Sequence, residues 1–323
     1  MKSYLLSKAL VAGAILIYLT LLYYGIRALN TSRRARIQST ASKARKVVLI
    51  MAVGCKNNTT GSEYFRFVIS ALNSARRNAP SLIPFVIYDG NLPDGLLKMP
   101  NVHFFRHILS FRTQLEKYNS YHDQFGAYYR LDIPVIMDTY IRPTINSTDV
   151  DLDYVLYTDT DVLFLKDINE LSIPKPKVIS IGPQLHKNRQ GNSGVLYFNV
   201  TAYRSHFDNL IEFACLKKWK FNALDQGLIL NYFRDRKLST LLPNEFNWKG
   251  YWSRPSTSEN EVVIAHFHAA KPGRCLDCYL QYRLHLDFCD CPPVYKSYFQ
   301  KAQDNGFFYE VMLQEFNRFN VPI

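Results

Sequence analysis

Residues 47–53 read Val-Val-Leu-Ile-Met-Ala-Val, with no polar position at which one face of a strand could meet water, and Gly54 closes the run. A run of this kind is at home in a strand covered on both faces, as in a parallel sheet with helices on each side. Shorter apolar stretches recur at residues 84–88, 102–105, 154–157, 178–181, 195–199 and 262–266. Helical patterns fall between them: residues 62–77, where Ser62 can cap and Phe65, Ile69 and Leu72 share a face, then 121–140 with an interruption at Pro134, 201–217 and 224–233. Strands alternating with helices specify an α/β sheet with helices on both faces. Ligands of such sheets bind beyond the carboxyl ends of the strands, so the residues just after each strand carry the functional information.

Charge narrows the partners. The chain has 39 Lys and Arg against 27 Asp and Glu, a net +12 that would suggest nucleic acid if it were spread evenly. Nine of the basic residues and none of the acidic ones lie in residues 1–46, which leaves 30 basic and 27 acidic side chains for the rest. A domain so near neutrality is not a nucleic-acid-binding surface. Residues 9–26 are uncharged for 18 positions, ~27 Å of helix at ~1.5 Å per residue, which matches a bilayer core. Tyr18, Tyr23 and Tyr24 suit a membrane interface, and the sequence after them lacks the small-x-small site of a cleaved signal peptide. The expected organisation is a short tail (1–8), a transmembrane anchor (9–28), a basic stem (29–46) and a folded domain (47–323) with a Cys-rich segment at 272–295.

Sidedness receives opposing signals. Two side-chain cations precede the span and seven follow it, which by the positive-inside rule places the domain in the cytoplasm. Sequons at Asn57, Asn58, Asn146 and Asn199, and four cysteines within residues 275–291, favour an oxidising lumen. Cys275, Cys278, Cys289 and Cys291 suit two disulfides in any of three connectivities, or a zinc site with His285; Cys55 and Cys215 are expected to be free and buried.

The sharpest chemical signal is Asp159-Thr160-Asp161, set between the apolar runs Tyr-Val-Leu-Tyr and Val-Leu-Phe-Leu. Two carboxylates one residue apart at a strand end repel each other, and a hard divalent cation such as Mn²⁺ or Mg²⁺ would neutralise them and could hold a diphosphate. A pair of turn or capping aspartates is the plainer reading. A phosphatase of the haloacid-dehalogenase type would use Asp159 as nucleophile, although such enzymes place this motif near the start of the domain and follow it with a hydroxyl residue, where this chain has Val162.

Asn192-Ser193-Gly194-Val195-Leu196-Tyr197-Phe198-Asn199 resembles the Asn-Ser-Gly strand of glycosyltransferase family 8, which includes glycogenin and the bacterial lipopolysaccharide galactosyltransferases. Four further blocks resemble that family and stand in its order: Tyr129-Arg130-Leu131-Asp132-Ile133-Pro134, Tyr157-Thr158-Asp159-Thr160-Asp161-Val162, Leu224-Asp225-Gln226-Gly227, and His266-Phe267 through Lys271-Pro272. The interval from His266 to Lys271 is similar to that of the plant xylan glucuronosyltransferase branch. The resemblance implies a GT-A fold, a Rossmann-like mixed sheet flanked by helices, and a metal-dependent retaining transfer of a sugar from a nucleotide-sugar, a UDP-sugar, to a glycan or protein acceptor. It further implies Mn²⁺, with Mg²⁺ as the substitute, held by Asp159, Asp161 and His266.

By the same resemblance Lys271 binds the donor diphosphate, Arg130 reaches the diphosphate or the sugar, and Asn192, Ser193 and Gly194 meet the sugar. Asp225 and Gln226 face it at a helix start as the catalytic pair. Val53 and Asn58 line the nucleoside, with Asn58-Thr59 standing where the family has Asn-Tyr. Same-face displacement and a covalent intermediate through Asp225 are both admissible. A type II Golgi enzyme with a lumenal domain is the expected setting, against the cation count around the span. Besides the phosphatase, a catalytically silent sugar-binding or scaffold protein of the same fold is the alternative.

Overall fold

The computed structural model describes residues 44–55, 61–118, 125–184, 191–249 and 261–267. Contacts divide the chain after Ala44, and the unit that begins at Arg45 is the subject below. The expected anchor and nearly all of the stem, Asn58, Lys271 and the Cys-rich segment lie outside the described residues; among the described ones no helix is long and apolar enough to cross a membrane. Cys215 is free, as expected, but half-buried.

In chain order the strands are β1 (Lys46–Cys55), β2 (Leu82–Gly90), β3 (His103–Arg106), β4 (Val150–Thr158), β5 (Val162–Phe164), β6 (Ile179–Gly182), β7 (Asn192–Asn199), β8 (Ser239–Leu241) and β9 (Ile264–His266). The helices are α1 (Gly61–Asn78), α2 (Asp94–Leu97), α3 (Arg112–Tyr118), α4 (Phe125–Tyr128), α5 (Ile133–Ile136), α6 (Arg142–Thr144), α7 (Val200–Leu216) and α8 (Leu224–Ile229). Seven strands form one sheet in the order β3-β2-β1-β4-β7-β6-β8. Strands β3, β2, β1 and β4 are parallel, β7 runs antiparallel to both β4 and β6, and β8 is parallel to β6. The continuous apolar run is explained by place: β1 lies between β2 and β4, and its residues Val47 to Met51 are fully buried.

Even and odd positions of β1 feed opposite layers. Val48 and Ile50 join the cluster that includes Tyr128, Ile136 and Tyr203, while Val47, Leu49, Met51 and Val53 join the one that includes Val68, Leu72 and Ala75 of α1. The second layer is stitched by polar atoms as well. Ser74 Oγ accepts from the Phe164 amide at 3.1 Å and Asn78 Nδ2 donates to the Phe164 carbonyl at 2.8 Å, so α1 holds β5 just beyond Asp161.

Two sequence expectations give way. The helix expected over 121–140 is a chain of short pieces where it is described: α4, a 3₁₀ turn at Tyr129–Leu131, α5, a π turn at Met137–Ile141 and α6. The regular helix stops before Pro134, which sits in the first turn of α5, where its missing N–H has no partner to lose. The last strand does not extend the main sheet. It shortens to β9 and pairs antiparallel with β5 in a separate two-stranded ribbon, with His266 opposite Val162.

Candidate functional site

The topology gathers one edge. Met51 of β1 pairs with Thr158 of β4, and Thr158 pairs with Val195 of the antiparallel β7, so the carboxyl ends of β1 and β4 and the amino end of β7 share a side. Gly182 at the end of β6 is in register with Asn192 on that same side. Asp159 leaves β4 there, its amide donating to the Gly194 carbonyl at 2.7 Å. Asp161 follows two residues on, and the β5–β9 pairing returns His266 to it across the length of the intervening chain, with the Phe267 amide donating to the Asp161 carbonyl at 2.8 Å.

The three expected ligands therefore meet. His266 Nε2 is 3.5 Å from Asp161 Oδ1 and 3.9 Å from Asp159 Oδ2, and one ligand atom from each residue lies within 4.8 Å of the others. Asp161 and His266 are buried, and Asp159 is partly open. The imidazole tautomer is set by Asn247, a residue for which the sequence reading assigned no role. Asn247 is fully buried and its Nδ2 donates to the Pro183 carbonyl at 2.8 Å, so its Oδ1 is the atom turned to His266 Nδ1, also at 2.8 Å. An oxygen there must accept, which puts the ring proton on Nδ1 and the lone pair of Nε2 toward the carboxylates. Burial lowers the imidazole from its ordinary value and keeps it neutral, opposed by the charge of Asp161 and aided by that of Lys249. A second buried group orienting a histidine in this way is typical of metal sites. The only cue in the sequence was an amide between two large aromatic residues, Phe246 and Trp248.

Gly194 is required for that arrangement. A Cβ on it would come 2.2 Å from His266 Cε1 and 2.7 Å from Asp159 Oδ2. The absence of a side chain here clears the space in which the histidine ring stands.

Beside the ligand set lies a buried polar network. Arg130, on the 3₁₀ turn at Tyr129–Leu131, donates from Nε to the Ala127 carbonyl at 2.8 Å, from Nη1 to Ser193 Oγ at 2.9 Å and from Nη2 to Asp159 Oδ1 at 2.8 Å. Its Nε is also 3.1 Å from Asp225 Oδ2, and its guanidinium lies 4.9 Å from the centre of the Tyr157 ring. Arg130, expected to reach a diphosphate or a sugar, joins the β4 end, the β7 start and α8. Burial opposes its charge, but Asp159 and Asp225 outweigh that and hold it above its ordinary value.

Asp225 is equally enclosed. Burial pushes its carboxyl up to about 6, against the pull of Arg130 and the hydrogen bond that Ser193 Oγ donates at 2.9 Å. Gln226 Oε1 accepts from Asn192 Nδ2 at 3.0 Å and from the Ser193 amide at 3.3 Å, while Asn192 Oδ1 accepts from the Gly194 amide at 3.2 Å. Ala223 and Leu224, just before this pair, both have left-handed backbone with φ of 59° and 53°. Such geometry is costly for residues with a Cβ and persists where the surroundings impose it, here in turning Asp225 and Gln226 back onto β7.

Val53 stands apart from this network. Its side chain is buried in the apolar layer that α1 covers, at the end of β1. The structure thus brings together nine of the expected residues, Arg130, Asp159, Asp161, Asn192, Ser193, Gly194, Asp225, Gln226 and His266, and adds Asn247. Asp159 and Asp225 share the guanidinium of Arg130, and a further buried cation, Lys249, acts on His266. Among the described residues, the carboxylates of Asp159 and Asp161 with His266 Nε2 turned toward them fit a divalent cation.

No protein-family profile and no curated protein sequence matches the chain. Solved structures do. The bifunctional glycosyltransferase WbbM in its apo form aligns with a TM-score of 0.52 at 14% identity, over 84% of this chain and 51% of that one. The galactosyltransferase LgtC, solved in complex with donor and acceptor sugar analogs, aligns with a TM-score of 0.51 at 16% identity, over 79% of this chain and 95% of that one. The chain spans about half the length of the WbbM chain. At these identities the likeness is one of architecture: the helix-flanked mixed sheet is a fold shared with glycosyltransferases.

Proposed function

We propose that the protein transfers a sugar from a nucleotide-activated donor, a UDP-sugar, to a glycan or protein acceptor with retention at the anomeric carbon, and that it depends on Mn²⁺, with Mg²⁺ as a substitute. The observation that carries this reading is the convergence of Asp159, Asp161 and a tautomer-fixed His266 at the carboxyl edge of the sheet. The solved structures that share the fold support sugar transfer. The choice of UDP and the stereochemistry are supported by the five sequence blocks that resemble glycosyltransferase family 8.

A divalent ion bound there would neutralise charge developing on a departing diphosphate. The chain's own residues build the frame around that event. Asn247 keeps the imidazole turned toward the carboxylates, Gly194 leaves room for it, and Arg130 holds Asp159, Ser193 and Asp225 in one relation. Ser193 passes a hydrogen bond from Arg130 on to Asp225, accepting from Nη1 and donating to Oδ2. Because these side chains are locked to one another, the edge is pre-organised and the donor meets a fixed surface. The phosphatase alternative gains nothing from this setting, in which Asp159 is tied to Arg130 and shares a ligand set with His266. Residues 9–28 are read as the anchor that holds the domain on the lumenal face of a Golgi membrane.

The test is an assay of the purified full chain against a panel of UDP-sugars. Donor hydrolysis or transfer should require Mn²⁺, stop on chelation, and fall at least a hundredfold in Asp161→Ala, the scale set by electrostatic groups at charge-developing sites. Turnover that survives both chelation and this substitution refutes the metal mechanism. Release of phosphate from monoesters in its place would restore the phosphatase, and folded protein without turnover on any donor would favour the silent scaffold.

A further inference from the structure

Of the sequons, two fall on described residues, Asn146-Ser147-Thr148 and Asn199-Val200-Thr201, and the structure treats them in opposite ways. Asn199 is the last residue of β7 and the N-cap of α7. Its Oδ1 accepts from the Ala202 amide at 3.1 Å, and its Nδ2 donates at 3.3 Å to the hydroxyl of Tyr154, its partner across the β4–β7 pair. That tyrosine is itself fixed, its ring 5.7 Å from Tyr197 and under the Lys175 ammonium at 4.9 Å. A sugar on Asn199 Nδ2 would have to push between Asn199 and Tyr154, at the residue that also caps α7.

Asn146 lies in the loop between α6 and β4, where residues 146–149 are all exposed. The loop is tied down through Asp149: the Lys46 amide donates to the Asp149 carbonyl at 2.7 Å, Lys46 Nζ is 3.3 Å from Asp149 Oδ2, and Ser147 Oγ bonds to Asp149 Oδ1. The Asn146 amide and the Thr148 hydroxyl stay at the surface. The loop precedes β4, and Asp159 follows it. The nine residues of β4, at ~3.3 Å each, separate Asn146 from the ligand set by roughly 25 Å. A glycan there would leave the donor edge clear.

We infer that Asn146 carries an N-linked glycan in the folded protein and that Asn199 does not. In the transfer, Asn146 Nδ2 bonds to the anomeric carbon of an oligosaccharide carried on a lipid diphosphate. The bond from that carbon to the diphosphate oxygen breaks, the lipid diphosphate leaves with the electron pair, and the amide gives up one proton. Attachment occurs as the chain enters the lumen, ahead of folding, so folding acts as the filter: a chain modified at Asn146 can complete the fold, whereas one modified at Asn199 loses the β7–α7 corner. The inference depends on lumenal placement and not on which sugar the site transfers.

The experiment expresses the full chain in eukaryotic secretory cells and compares the electrophoretic mobility of the wild type, Thr148→Ala and Thr201→Ala before and after peptide N-glycosidase. Each substitution removes one sequon and leaves its asparagine in place, so the Asn199 cap is untouched. The expected result is that Thr148→Ala loses one glycan and Thr201→Ala loses none, with deamidation mapped to Asn146 by mass spectrometry of the enzyme-treated wild type. A glycan lost in Thr201→Ala, no change in Thr148→Ala, or no glycosidase-sensitive species at all would each overturn it. Because the readout is mobility and mass, failure here leaves the sugar-transfer assay unaffected.

Discussion

Replacing Asn247 by leucine removes the acceptor that holds the His266 proton on Nδ1, and its effect on metal binding can be separated from its effect on folding. Two losses follow from the geometry. The Pro183 carbonyl loses the donor at 2.8 Å, and an unsatisfied buried polar group costs about 1–3 kcal/mol of stability. His266 is no longer confined to the tautomer that points a lone pair at Asp159 and Asp161, and loss of such an orienting partner typically weakens metal binding ~10–100-fold. That range equals about 1.4–2.8 kcal/mol. Thermal unfolding followed against Mn²⁺ concentration reads the two separately, because bound metal adds stability in proportion to the logarithm of one plus concentration over dissociation constant. The leucine variant should start from a lower midpoint without metal, and its rise should begin at ~10–100-fold higher Mn²⁺. Asn247→Asp, which keeps an acceptor for His266 but no donor for Pro183, should lose midpoint temperature while responding to Mn²⁺ at the wild-type concentration or below. If the leucine variant rises over the same Mn²⁺ range as the wild type, the role assigned to Asn247 is wrong, whatever happens to its midpoint.

Gly194→Ala places a methyl 2.2 Å from the His266 ring; an overpacked site of this kind typically costs about 1–3 kcal/mol, and the displaced ring should abolish stabilisation by Mn²⁺. An alanine variant with wild-type midpoint and wild-type metal response would contradict the close approach. Asp225 gives a pH signature: its folded carboxyl, raised by burial to about 6 from 3.8, binds more protons than the unfolded one between those values. Stability is favoured below the unfolded value and declines as pH rises through the folded one, by about 3 kcal/mol at ~1.4 kcal/mol per unit. Urea midpoints of the wild type relative to Asp225→Asn should therefore fall from pH 4 to pH 6 and level off above; a flat or rising difference would count against the buried carboxyl.

The fold was largely readable because its strongest signal has one physical interpretation. An uninterrupted apolar run such as residues 47–53 can be hidden only between two layers, and β1 between β2 and β4, with α1 on one face, is that place. What could not be read is what depends on partners distant in sequence. Residues 192–194 carry the polar Asn-Ser pair and a glycine, which locally suggests a turn, yet they are the first residues of β7, because β6 and the Asp159 amide supply their partners. Residues 239–241 are too short and too polar to announce a strand, but they pair with β6 at the sheet edge.

The site divides along the same line. Asp159 and Asp161 were visible as an electrostatic anomaly, two like charges inside apolar sequence, and anomalies of that kind are local. His266 and Arg130 were named through resemblance, because a single histidine or arginine carries no local signal. For Arg130 the resemblance gave the position but not these partners: its guanidinium faces Asp159, Asp225 and Ser193, and removing it would leave Asp225 buried beside uncompensated charge. Asn247 shows the converse case. It has neither charge nor motif, and its importance arises wholly from a tertiary hydrogen bond to a ring nitrogen, so it could be found only after β9 had been placed against β5.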